Sequence, residues 1–147
     1  MKRIIFFFAA LSFICCQSET VVPFSVARNY FVRSDADVSE NMKITDQATF
    51  EGVFGMAAFM GRDGQPTSID WDKEFVIAVV KPVTDVETSM EPLTLVKKGK
   101  SLVLNYSLKS GTSMSYTIRP FFIIVVDKQW KDLAVVFNEQ RMSAPGI

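Results

Sequence analysis

From residue 74 onward, apolar and polar positions follow strand periods almost without a break. Residues 74–80 (EFVIAVV) are apolar through their interior, the pattern of a central strand covered on both faces. Residues 101–109 alternate instead. Leu102, Leu104, Tyr106 and Leu108 point one way and Val103, Asn105, Ser107 and Lys109 the other, giving one dry and one wetter side. Lys98-Gly99-Lys100 separates this strand from residues 92–98 and reads as a tight hairpin turn. Ser110-Gly111-Thr112-Ser113 reads as the next turn. A long strand segment over 114–126 follows, in which Pro120 marks a bulge, bend or edge. A turn at Asp127-Lys128 leads to a last strand over 133–137, and residues 139–147 read as a trailing end.

Upstream the pattern is less regular. Residues 26–32 read as a strand or extended arm, and 34–41, with Asp35, Asp37 and Glu40, as an exposed turn. Thr45 or Asp46 can cap a helix whose apolar positions are Ala48, Phe50, Val53, Phe54 and Ala57. Gly52 and Gly55 each cost about 1 kcal/mol in a helix interior, so this helix is expected to be short and to need tertiary support. Residues 61–68, with Gly61, Gly64 and Pro66, form the clearest loop. The sum is α+β: a largely antiparallel sheet or β-sandwich-like core with one short helix packed on it. It is expected to form a single domain over 24–141 with a frayed tail over 142–147.

The start of the chain carries a different signal. Lys2 and Arg3 precede an apolar run over 4–14, too short for the roughly 20 residues a membrane helix needs and the right size for an export signal. Phe13-Ile14-Cys15-Cys16 is followed at once by polar Gln17-Ser18-Glu19-Thr20. This resembles a bacterial lipoprotein signal, especially the loose form of Bacteroidetes-type organisms, in which a peptidase cuts before a cysteine that receives diacylglycerol. The resemblance implies a signal peptide over 1–15, lipidation at Cys16, a tether over 16–23 and a location in the bacterial cell envelope, with the leaflet open. No cysteine follows Cys16, so the exported domain is expected to fold without a disulfide.

Composition narrows the chemistry. The 147 residues contain no histidine, which removes Ser–His–Asp and Cys–His nucleophile arrangements and imidazole metal sites. Loss of Lys2 and Arg3 with the signal would leave 14 basic against 16 acidic side chains, a formal charge of −2 (14 − 16). That balance argues against nucleic acid. Asp70, Asp72 and Glu74 alternate and would share one face of an extended strand. Their spacing lacks the glycine and later acid of a calcium loop, and a solvated strand entry explains them equally well. Whether that face takes a cation stays open, and no metal or cofactor site is assigned. Lys97, Lys98 and Lys100 form a small basic spot that keeps a hairpin turn wet, with an anionic partner or headgroup as the alternative. Trp71 and Trp130, each flanked by charged residues, are the candidate protein-binding residues, with rolling over the ends of the core as the plainer explanation.

The middle of the chain resembles a known family. Asp70-Trp71-Asp72-Lys73-Glu74-Phe75 opens the central strand, and Arg119-Pro120-Phe121-Phe122-Ile123-Ile124-Val125 opens a later one. Together with the helix around 50–54, these resemble the C-terminal domain of PrcB-type subunits of a secreted protease complex, over roughly 44–138. The stretch 81–86 departs from that family in having no glycine. The resemblance implies a non-catalytic partner that stabilises or regulates an exported protease. The expectation is therefore a lipid-anchored accessory or binding domain without catalysis. The alternatives are a surface lipoprotein of glycan uptake or adhesion, and a small hydrolase without histidine.

Overall fold

The strand pattern of the second half produces one antiparallel ribbon that folds back on itself. The computed structural model describes residues 18–143. The expected signal peptide over 1–15 and the acceptor Cys16 lie outside the described residues, as do residues 144–147. In chain order the elements are β1 (Glu19–Val21), β2 (Phe24–Val26), β3 (Tyr30–Val32), β4 (Asn41–Ile44), α1 (Gln47–Val53) and β5 (Phe54–Met56). There follow β6 (Glu74–Val80), β7 (Thr84–Lys98), β8 (Ser101–Ile118), β9 (Phe121–Asp127), a 3-10 turn (Lys128–Trp130) and β10 (Ala134–Ser143). The fold is mixed α+β: a predominantly antiparallel β core with a short helix packed against it.

The ribbon begins where β6 and β9 pair, from Glu74↔Asp127 to Val80↔Phe121. The Lys81 N–H donates to the Pro120 carbonyl at 2.8 Å, and β7 and β8 carry the pairing on from Thr84↔Ile118 to Lys98↔Ser101. Gly99 turns the tip with a φ of 57°, which other L-residues adopt only with strain. Register shifts between Thr84 and Thr88, and again between Pro92 and Thr94, bend the ribbon so that its distal half packs on its proximal half.

Three layers result. A central sheet has the order β2-β9-β6-β4, and an outer sheet the order β1-β7-β8-β10. Phe75, Ile77, Val79, Phe122, Ile124 and Val126 of the central sheet meet Leu95, Leu102, Leu104 and Tyr106 of the outer one. The intervening residues Val76, Ala78, Val80, Ile123 and Val125 face the opposite way with Ile44 of β4, against the third layer, α1 and the antiparallel β3–β5 ribbon, which supplies Phe50, Val53 and Phe54. Burial on both faces is the reason β6 and most of β9 are continuously apolar.

The two long sides of the sandwich close by different means. On one side the chain crosses from β1 to β2 through Val22 and Pro23. Val22 is 1% exposed, and its N–H donates to the Leu95 carbonyl at 2.8 Å. On the other side β10 and β4 are linked by side chains. Lys81, at the end of β6, donates to Glu139 of β10 at 2.5 Å and to Glu40, just before β4. Tyr106 Oη donates to Glu139 Oε2 at 3.0 Å, and Arg141 Nε to Glu139 Oε1 at 2.6 Å. Lys43 of β4 adds bonds to the carbonyls of Lys131 and Leu133 at 3.0 and 3.1 Å. Burial opposes the charge on Lys81, but its bonds to Glu139 and Glu40 outweigh that and hold the ammonium above the usual lysine range. The Lys81 bond lowers the Glu139 carboxyl to about 2 against an opposing effect of burial, with help from Arg141 and Tyr106.

Several expectations change. The strand expected over 26–32 is two strands, because Asn29 breaks the run with a φ of 62°. Residues 19–22 of the expected tether belong to the domain, as β1 and the buried Val22. The helix ends at Val53 because Phe54 turns extended and starts β5. No turn occurs at 110–113: β8 continues through Gly111, with shifts of register, because β7, starting at Thr84 rather than 92, pairs along that stretch. The last strand continues to Ser143 and runs parallel to β8, which holds residues 139–143 in the sheet instead of letting them trail.

Candidate functional site

Asn29 is the residue around which one corner of the molecule is built. Asparagine is among the few residues that tolerate a left-handed backbone, and its side chain bonds nearby backbone. Here Nδ2 donates to the carbonyls of Asp63 at 2.6 Å and Gln65 at 2.8 Å, while the Asn29 carbonyl accepts from Ala57 N–H at 2.9 Å. Thr67 exchanges bonds with the Arg28 backbone at 2.9 and 3.1 Å, and Tyr30 Oη donates to the Thr67 carbonyl at 2.5 Å. Burial raises the Tyr30 pKa, so the phenol stays a neutral donor. The loop over 57–68 is thus strapped to 28–30 at several points.

At its tip the Phe59 N–H donates to the Gly64 carbonyl at 3.0 Å, and Gly64 is required there: a Cβ would stand 1.8 Å from the Phe59 carbonyl oxygen. The brace holds apolar side chains outward. Met56 and Phe59 are largely exposed, and Met60 fully so. Exposed large apolar groups on a tied-down loop are a different matter from scattered surface leucines.

Beneath the loop lies a cavity of about 360 Å³ between α1, the β3–β5 ribbon and residues 65–71. Phe50 and Phe54 form its floor, Tyr30 and Trp71 its walls, and Met56 part of its rim. Phe50 stands edge-on to Tyr30 with centroids 5.1 Å apart, and lies 5.4 Å from Trp71. Gln47 and Glu51, hydrogen-bonded to each other at 2.7 Å, supply a polar edge. Asp46 caps α1 through Thr49 N–H at 2.8 Å and Thr49 Oγ1 at 2.9 Å, and these bonds lower its pKa. The larger groove, about 630 Å³ between residues 26–30 and 90–92, is open and contains neither tryptophan. Chemically, the smaller cavity suits an apolar or aromatic group with one polar atom.

The two tryptophans lie at the same end of the central sheet but on opposite faces. Trp71 packs on the helix side and Trp130 against the inter-sheet core, both half-buried. The ends meet where Lys128 N–H donates to the Lys73 carbonyl at 2.8 Å and Lys128 Nζ bonds the Trp71 carbonyl. Only Trp71 belongs to the cavity.

Asp70, Asp72 and Glu74 do not share a strand face, because residues 70–73 form a turn. Asp70 Oδ1 accepts from Asp72 N–H at 3.1 Å, and Glu74 Oε2 from Asp70 N–H at 2.9 Å. The carboxylates fold the turn, and no group of metal-ligating residues occurs among the described residues.

Sequence reasoning did not single out Asn29 or Thr67. The available signal was an asparagine between two β-prone runs, Phe24–Val26 and Tyr30–Val32. No protein-family model, curated protein or solved structure matches this chain.

Proposed function

We propose that this chain is a non-catalytic binding module, lipid-anchored through Cys16 in the bacterial cell envelope, that docks an exported protein. The observation that carries the reading is the corner at Asn29. A braced loop exposes Phe59 and Met60 near its tip, and its base, residues 65–68, lines together with the exposed Met56 an aromatic-walled cavity containing Trp71. Rigid apolar contact area next to a pocket is how binding hot spots gain energy at small entropic cost. The resemblance to PrcB-type subunits favours an exported protease as the partner. A thioether diacylglycerol and an acylated N-terminus would supply the multiple chains that stable anchoring requires.

The test is capture of the full-length lipoprotein from detergent-solubilised envelopes of its native cell, with quantitative mass spectrometry. Two variants serve as comparisons: Cys16→Ala, and the paired exposed changes Phe59→Ser with Met60→Ser. A protease recovered in stoichiometric amount, and reduced at least tenfold by the loop variant, supports the reading. Equal recovery with the loop variant removes the loop from the interface, and recovery of no exported protein overturns the function.

A further inference from the structure

The four edge strands of the two four-stranded sheets are not alike. β1, β2 and β4 are three or four residues long, whereas β10 has ten and is paired on one side only, by β8. Long edges are normally blunted by charged side chains, lysine above all, by proline or by a bulge. Residues 134–143 (AVVFNEQRMS) contain no proline or lysine, and their pairing with β8 is unbroken from Ala134↔Ser101 to Ser143↔Ser110. Val136 and Met142 are exposed on this strand at 49% and 43%.

The two charges of β10 define an occupant. Glu139 and Arg141 lie on the same face of the strand, one residue either side of Gln140. In an antiparallel pair of identical strands with a two-fold axis at Gln140, each Arg141 stands opposite the other chain's Glu139. Asn138 then faces Met142, and Phe137 faces Ser143. Opposite charges directly across a strand pair are favourable, and like charges unfavourable. Moving the axis to Glu139 would oppose two carboxylates. Within its own chain Arg141 uses Nε on Glu139, and its side chain is 81% exposed, so its outer nitrogens are open to a second carboxylate. The other end of the strand is less accessible, because Lys43 crosses to the carbonyls of Lys131 and Leu133 just ahead of it.

We propose that β10 pairs antiparallel with β10 of a second copy of this chain, about a two-fold axis at Gln140, joining two outer sheets into one continuous eight-stranded sheet. An isologous contact of this kind closes on itself and exposes no further edge there. Confinement to a membrane surface would raise the effective concentration of the second copy. This surface is separate from the Asn29 corner, so it stands or falls independently of the partner proposed above.

Single cysteines test the register, in full-length chain with Cys15→Ser and Cys16→Ser so that no other thiol is present. Oxidation in detergent solution should couple Gln140→Cys to itself. Asn138→Cys and Met142→Cys should each stay uncoupled alone but couple when mixed. Light scattering corrected for detergent should give a dimer mass for the parent chain and a monomer mass for Arg141→Glu, whose circular dichroism spectrum should match the parent's and show that it still folds. A monomer mass for the parent at all concentrations, self-coupling of Asn138→Cys in preference to Gln140→Cys, or coupling of Gln140→Cys in envelopes only to a different protein would each overturn the proposal. The last result would assign the edge to an extended segment of another chain.

Discussion

The two long sides of the sandwich solve one problem in opposite ways. Where β1 gives way to β2, covalent chain crosses between the sheets and a valine that is 1% exposed plugs the gap. Where β10 faces β4, the sheets are held by Lys81, Glu139 and Glu40, with Tyr106 and Arg141 in support. The first closure is apolar and indifferent to protonation. The second depends on charge and on groups that remain partly wet. The difference teaches that sequence adjacency suffices to close one side, while the other needs residues from four separate segments to arrive together.

The largest effect is expected on the covalent side. Val22→Asp places a carboxylate with no partner into the inter-sheet core and should cost about 4 kcal/mol or more, read as loss of the cooperative transition in urea. Val22→Ala, at about 2 kcal/mol, keeps the measurement quantitative. On the clasp side, Lys81→Met leaves Glu139 and Glu40 without their shared cation and should cost about 2 kcal/mol. Adding Glu139→Gln to Lys81→Met should restore part of this, with about 1 kcal/mol of coupling between the two sites. Additive losses would show that the clasp contributes no more than its packing.

Acid should separate the two sides with the smallest effect. Glu139 is depressed to about 2 in the folded chain, so its contribution is complete above the unfolded carboxyl value and disappears as pH falls. The window therefore runs from about pH 5 down to pH 2. The shift corresponds to about 3 kcal/mol, which screening at a partly wet edge reduces to about 1–2 kcal/mol. Lys81 titrates above its usual range, so the same ion pair weakens again only in strong alkali. Asp46, exposed at its helix cap, also loses its bonds in acid. The comparison of Glu139→Gln with the parent isolates the clasp. A Val22→Ala chain should keep the parent's acid slope, whereas Glu139→Gln should flatten it.

The parts of the fold legible in the sequence are those where one physical cause dominates. Residues 74–80 show their burial directly, because a strand covered on both faces has no polar position. Leu102, Leu104 and Tyr106 alternate because one side of β8 is dry. Asp46, one of the two caps expected, caps the helix by a local rule. What escaped was long-range pairing. Gly111 resembles a turn residue because nothing in its neighbours reveals that β7 starts at Thr84 and will pair there. Glu139 resembles tail because its partners Lys81 and Tyr106 are distant in sequence. Half of the candidate site follows the same division. Trp71 stands out by composition and does line the cavity, while Asn29 holds the corner through a left-handed backbone and bonds to Asp63 and Gln65 that are distant in sequence.

The folded ribbon also sets an order of assembly. Glu74 and Asp127 are far apart along the chain, and bringing them together in one step would carry the entropy of closing everything between. With Lys98 and Ser101 joined first across Gly99, each new pair shortens the next closure, and the pairing advances like a zip through Thr84↔Ile118 to Glu74↔Asp127. The layers that cover the central sheet, and the β10 that borders the outer one, can then dock on a template already in register. The most non-local pairs are reached by a route made of local steps, which is the condition for a β-rich chain to fold without a long search.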